Sequence, residues 1–268
     1  MNEEWTPEKI KEAKRLAAGP LGRELTKFPL RFAAAVTMGE RPKLKHKAYI
    51  NNGTAVLVKL DKRPIAITCS HIMEKYREKL EQDSNTVFQI GQAVINPQER
   101  LVDENRNIDL ATIDMSGIEA HHVCMQTNLE LNYYEPFSWP PAPVKPGDFV
   151  CVGGYPGAMR KQNTSDSLVF ESFSAAGVQV PSVNDEYFMI QFEREFWVKN
   201  FGSDDYLTFN QLGGMSGCPV FIERSHGGIM NFDMVGIASE YQEEYDLMRA
   251  RHANLINWDG SIADLDRP

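Results

Sequence analysis

Short runs of β-forming residues, separated by polar or Gly/Pro turns, recur through most of this 268-residue chain, and that texture restricts it to barrels or a sandwich. Thr54-Ala-Val-Leu-Val-Lys, the turn Lys62-Arg-Pro64 and Ile65-Ala-Ile-Thr read as a hairpin. Similar runs follow at Thr86 to Ile90, Leu110 to Ile113, Phe149 to Val152, Leu168 to Phe173, Tyr187 to Phe192, Pro219 to Ile222 and Met234 to Ala238. The stretch from Asn132 to Gly147 carries too much proline for a central strand, so it is expected to bridge two β units. Helix is expected in two places. Residues 1 to about 25 offer Thr6 as a cap, Pro7 in the first turn, Glu8 at the positive helix end and Ile10, Ala13, Leu16 and Ala17 at helical spacing. His71 to Leu80, with Met73, Tyr76 and Leu80 among charges, reads as a second, short helix.

Composition narrows the function classes. With 42% hydrophobic residues the chain can bury one large core or two smaller ones. Its net charge of −9 and pI near 5.2 offer no basic face for nucleic acid. No apolar run approaches the ~20 residues that span a bilayer, so no membrane contact is expected. The opening residues are charged throughout and lack the apolar stretch of an export signal, from which a cytoplasmic location is expected. Cys69, Cys124, Cys151 and Cys218 show no zinc-type spacing and are expected to be free thiols, with no metal and no cofactor required.

Three segments carry chemistry. Serine hydroxyl is a weak nucleophile at neutral pH, so acyl transfer needs a base for its proton and donors for the developing oxyanion. Leu212-Gly-Gly-Met-Ser-Gly-Cys-Pro-Val-Phe221 supplies a serine in a glycine-rich turn, where the amides of Gly214 and Ser216 can converge on one oxygen. Ile65-Ala-Ile-Thr-Cys-Ser-His71 ends an apolar run on a histidine, and Asn107-Ile-Asp-Leu-Ala-Thr-Ile113 places an aspartate at the start of another. Singly, each also reads as an ordinary turn, a strand-end histidine or a capping aspartate.

Together, and in this order, the segments resemble the Thr-Ala-Ala-His, Asp-Ile-Ala-Leu and Gly-Asp-Ser-Gly-Gly-Pro motifs of the chymotrypsin-like serine proteases. The resemblance runs over about residues 48 to 260. Pro146-Gly-Asp-Phe-Val-Cys-Val-Gly-Gly-Tyr-Pro156 is similar to the strand opening the second barrel in bacterial members and Val235-Gly-Ile-Ala-Ser239 to the strand after the nucleophile, while Leu255 to Ile262 reads equally as a barrel-closing segment or as an ordinary terminal strand and turn. It implies an all-β fold of two packed six-stranded antiparallel Greek-key barrels with an N-terminal helical extension. The units would be residues 1–45 for the extension, 46–135 for the first barrel with His71 and Asp109, and 136–268 for the linker and second barrel with Ser216.

The implied activity is serine endopeptidase, acting on protein or peptide substrates through an acyl-enzyme. Ser216 would be nucleophile, His71 the base, Asp109 its orienting partner, and the Gly214 and Ser216 amides the oxyanion hole. Ser239 would bond Asp109, and Ser239, Glu240 and Tyr241 would pair with substrate backbone. Asn210 would lie at the base of the specificity pocket, with Tyr241 on its wall or, if loop lengths shift the alignment, turned to solvent. Met215 stands where the digestive enzymes carry an aspartate for a new amino terminus, and Ile72 where they carry a disulfide cysteine. Zymogen activation by that route is therefore not expected, and Cys218 is read as packing. The alternative is a protease-fold module that binds peptides without cleaving them, or one switched on by a regulatory protein partner.

Overall fold

The computed structural model describes residues 6–40, 50–124, 130–164, 167–193, 212–226 and 229–264. The chain opens with helix α1 (Pro7–Ala17), whose first turn is closed by the Thr6 side chain accepting a hydrogen bond from the Lys9 amide at 3.3 Å. Gly19 and Pro20 break it, and α2 (Pro20–Lys27) runs into a 3₁₀ turn at Phe28–Arg31.

Two β units follow. The first is an antiparallel sheet of seven strands: β1 (Ala33–Glu40), β2 (Asn51–Leu60), β3 (Arg63–Thr68), β4 (Thr86–Ile90), β5 (Ala93–Ile95), β6 (Leu101–Asn105) and β7 (Leu110–Asp114). They pair in the order β5-β4-β1-β2-β3-β7-β6. Helix α3 (Ser70–Gln82) leaves the end of β3, and the short α4 (Ala120–Val123) follows the sheet.

The second unit is a closed barrel. Its strands are β8 (Phe149–Gly154), β11 (Phe173–Val183), β12 (Tyr187–Gln191), β13 (Pro219–His226), β14 (Ile229–Gln242) and β15 (Leu247–His252), and it closes where β11 pairs with β8. A separate hairpin, β9 (Arg160–Thr164) and β10 (Ser167–Phe170), stands beside it. The fold is thus all-β in two packed units.

Three details differ from the sequence expectation. The first unit pairs seven strands rather than six. One of them, β1, falls within the segment read as a helical extension and sits between β2 and β4. Its Ala33-Ala-Ala-Val36 run has helical propensity, and burial on both sides overrides it. Leu255 to Ile262 closes no barrel: it forms a 3₁₀ turn and an isolated bridge from Ile256 to Ile262 and packs between the units.

Strands β2 and β3 are apolar on both faces because each face meets a different core. Ala55, Leu57 and Ala66 enter the core of the first sheet, while Val56, Val58, Leu60, Ile65 and Ile67 enter a second cluster. That cluster also holds Phe221, Met234 and Ile237 of the barrel and Tyr134 and Trp139 of the proline-rich bridge. The bridge is anchored along its length. Tyr134 exchanges backbone hydrogen bonds with β2, and the Trp139 indole donates to the Ile256 carbonyl at 2.6 Å. The N-terminal segment joins here as well, with Phe28 stacked on Phe232 at 4.1 Å between ring centroids.

Candidate active site

Sheet register brings the histidine and the aspartate together. β3 pairs antiparallel with β7 so that Thr68 lies opposite Ala111. The chain continuing past Thr68 therefore meets the chain arriving at Ala111, and His71 in the first turn of α3 comes to lie beside Asp109. The approach to Asp109 is a tight turn. The Asn105 side chain accepts the amides of Asn107 and Ile108, and Asp109 adopts a left-handed φ of 55°. Its carboxylate takes the His71 ring Nδ1 at 2.9 Å on Oδ2 and at 3.1 Å on Oδ1, and the His71 amide donates to Oδ1 at 2.9 Å. With Nδ1 held as the donor, Nε2 is the ring nitrogen left with a lone pair.

Ser216 comes from the barrel, in the loop that precedes β13. Gly214 and Gly217 have φ of 100° and 91°, where an L side chain is strained. A Cβ on Gly217 would also lie 1.9 Å from the Thr54 carbonyl oxygen. Each peptide of the loop is fixed by its carbonyl: Gly213 accepts from the Gly157 amide at 2.7 Å, Gly214 from the Thr54 hydroxyl at 2.9 Å, Met215 from the Cys218 amide at 2.9 Å and Ser216 from the Thr54 amide at 2.9 Å. The amides of Met215, Gly217 and Cys218 are donors within the protein. Among the described residues, the amides of Gly214 and Ser216 have no acceptor. Two free N–H groups flanking a serine are the donors an oxyanion requires.

The Ser216 hydroxyl donates to the Ser239 carbonyl at 3.1 Å, and among the described residues it makes no hydrogen bond with His71. Ser239 departs from the expected pairing with Asp109: its hydroxyl donates to the Arg249 carbonyl at 3.4 Å. The cause is a register shift between Ala238 and Glu240, a bulge that turns the Ser239 side chain along its own sheet. A thiol stands near the carboxylate instead. Cys69 Sγ donates to the Ala238 carbonyl at 3.3 Å, and its sulfur lies within 4.8 Å of the ligating atoms of His71 and Asp109. That trio has donor types that suit a metal. Burial, together with the charge of Asp109, pushes the Cys69 thiol pKa well up, which opposes the thiolate a metal would need.

A cavity of about 300 Å³ opens beside Ser216, with Leu212, Met215, Ala238 and Met248 in its lining and Glu240, Tyr241 and Glu243 also facing it. Tyr241 is anchored there by its hydroxyl, which donates to Asp246 at 2.6 Å. Glu240 is exposed and pairs with Arg249 at 2.9 Å. Asn210 lies outside the described residues. β13 begins at Pro219 opposite Ile237, so the outer edge of β14 beyond Ala238 has no strand beside it among the described residues.

Two groups that sequence reading missed support the site. Thr54 gave no signal beyond its place after Gly53 at the start of a strand. Glu104 holds the start of α3, accepting from the Ser70 hydroxyl at 2.7 Å and from the Arg77 guanidinium at 3.0 Å and through a second, shorter contact. An acidic residue in a polar edge strand carries no such mark in sequence.

No family model matches this chain, and no curated protein matches it. Solved structures match it at low similarity. The Rv3671c protease of M. tuberculosis in its active form is 12% identical over 88% of this chain and 82% of that one, with a TM-score of 0.44. The thermostable serine protease AL20 from an extremophilic microorganism is 15% identical over 83% and 91%, at 0.42. The scabies mite inactivated protease paralogue S-I1 is 12% identical over 86% and 91%, at 0.45.

Proposed function

We propose that this chain is a serine endopeptidase, a reading carried by the conjunction of the Asp109-bound His71 ring with two amides around Ser216 that have no acceptor among the described residues. Ser216 Oγ attacks the scissile carbonyl carbon while His71 Nε2 takes the hydroxyl proton. Asp109 keeps the other proton on Nδ1 and stabilises the imidazolium that forms. The carbonyl oxygen becomes an oxyanion and receives the Gly214 and Ser216 amides. His71 then returns its proton to the leaving amine as the C–N bond breaks, which leaves an acyl-enzyme. Water, activated by the same Nε2, attacks the ester and restores Ser216.

In this reading an extended peptide adds as a strand along the outer edge of β14 at residues 239–241, beyond the point where β13 begins opposite Ile237, its side chain entering the cavity beside Ser216. Asn210 belongs to this reading as the residue at the pocket base. In the same reading 46–135 and 136–268 supply the two walls of the cleft, and the reaction needs no cofactor.

A second reading, a protease-fold module awaiting a partner, has one observation in its favour: the Ser216 hydroxyl is turned to Ser239 rather than to His71. A serine-reactive fluorophosphonate separates the two. Stoichiometric labelling of the isolated wild-type chain, absent in Ser216→Ala, is expected for the competent enzyme. Wild-type labelling no faster than the variant's would overturn it.

A further inference from the structure

Thr54 is fully buried at the start of β2, and every polar group it has is used. Its amide donates to the Ser216 carbonyl at 2.9 Å, its hydroxyl donates to the Gly214 carbonyl at 2.9 Å and accepts the Tyr155 amide at 3.1 Å, and its carbonyl accepts the Thr68 hydroxyl at 2.8 Å. One residue of the first sheet therefore grips the nucleophile loop on both sides of Met215.

A trans peptide points its C=O and its N–H in opposite directions. The direction of the Gly214 amide is thus set by the Gly213 carbonyl, which the Gly157 amide holds at 2.7 Å. Reversing that peptide requires coupled rotation about Gly213 ψ and Gly214 φ, which two glycines permit at little steric cost. Thr54 opposes it at two points. Its hydroxyl fixes the Gly214 carbonyl, the next peptide along. The same oxygen also holds Tyr155, two residues before the Gly157 amide that anchors Gly213.

We propose that Thr54 is a positioning residue that sets the oxyanion hole, keeping the Gly214 amide turned outward before substrate arrives. The inference rests on the endopeptidase reading for its kinetic consequence, and on the peptide's orientation for its structural one. Thr54 touches no substrate atom. Its loss acts on transition-state charge and not on ground-state binding.

The test compares Thr54→Val, which keeps the shape and removes the hydroxyl, with Thr54→Ser, which restores it. Thr112→Val serves as control: Thr112 is equally buried, and its hydroxyl donates to the Gly260 carbonyl at 2.7 Å, away from the loop. Removing an oxyanion donor outright lowers kcat by about 10² to 10³, so misdirecting one is expected to lower kcat in Thr54→Val by about 10- to 100-fold with KM within about twofold. Thr54→Ser should recover most of the loss, and Thr112→Val should lose thermal stability without losing kcat. A Thr54→Val kcat within about twofold of wild type, or an equal fall in Thr112→Val, would overturn the proposal.

Crystal structures of the variants provide a readout that survives if the wild type cleaves nothing. The Gly213–Gly214 peptide should be reversed or split between orientations in Thr54→Val and single in Thr54→Ser. An unchanged peptide in Thr54→Val would sink the inference whatever the activity. Should Thr54→Val not fold, Thr54→Ala removes the same hydroxyl and is read the same way.

Discussion

Asp109 holds His71 twice, accepting the ring Nδ1 at 2.9 Å and the backbone amide of the same residue at 2.9 Å. The second bond fixes where the histidine sits, and the first fixes which nitrogen carries the proton. Asp109→Asn separates these effects. Its side-chain oxygen can still accept the backbone amide, but an amide nitrogen facing Nδ1 forces that atom to accept, which moves the ring proton to Nε2. Turnover should fall by about 10⁴ at neutral pH with the melting temperature little changed. Activity within tenfold of wild type would remove Asp109 from the mechanism.

Acid should weaken the first sheet and its helix through two carboxylates. Burial works to raise the Glu104 pKa, but hydrogen bonds from Arg77 and Ser70 outweigh it and hold it below the ordinary value. Burial likewise acts upward on Asp114, yet bonds from Ser116 and Arg63 lower its pKa to about 2. Groups depressed in the fold contribute stability that is complete above their unfolded pKa values, near 4.5 and 3.8, and is lost as pH falls through the folded ones. Glu104→Gln should cost about 2 kcal/mol at pH 7, because it leaves the Arg77 charge half-buried and unpaired, and the cost should shrink towards pH 3. Urea unfolding at several pH values measures it. A pH-independent difference would show that the charge is not what Glu104 contributes.

The thiols should be inert in the native protein. Burial raises the pKa of Cys69, Cys218 and Cys151, the last to about 12, and none of the four cysteines is in a disulfide. A disulfide exchange reagent should modify Cys124 first, and the others only on unfolding. The melting temperature should not respond to dithiothreitol. Rapid native modification of Cys69 or Cys218 would contradict the packing described.

Tyr241 should restrict the cavity beside Ser216. Its ring packs edge-on to Phe192 at 6.2 Å while its hydroxyl is held by Asp246, so it is fixed against the cavity rather than free in solvent. Small or medium side chains should fit best, and Tyr241→Gly should raise kcat/KM for large aromatic residues by tenfold or more, a gain of about 1.4 kcal/mol or above. Profiling against a peptide library decides it. An unchanged profile would place the determinant elsewhere.

What could be read from sequence was whatever local chemistry encodes. The α1 cap, the β2–β3 hairpin and the short helix after His71 depend on turn residues and spacing within one segment, and they lie where expected. The His71, Asp109 and Ser216 segments were legible because each pairs a special residue with its own flanking strand or glycine turn. Strand β1 was not, since an alanine run takes its conformation from neighbours distant in sequence. The Ser239 bulge and the grip of Thr54 on the nucleophile loop depend on register between segments, which no single window contains.

The double-sided burial of β2 and β3 has a mechanical consequence. Their alternate residues belong to both the sheet core and the cluster shared with the barrel, so neither unit can swing without tearing apolar contacts from the other. Hinge closure of the kind that lets two-lobed enzymes engulf a ligand is closed to this molecule. The halves should melt as a single cooperative unit.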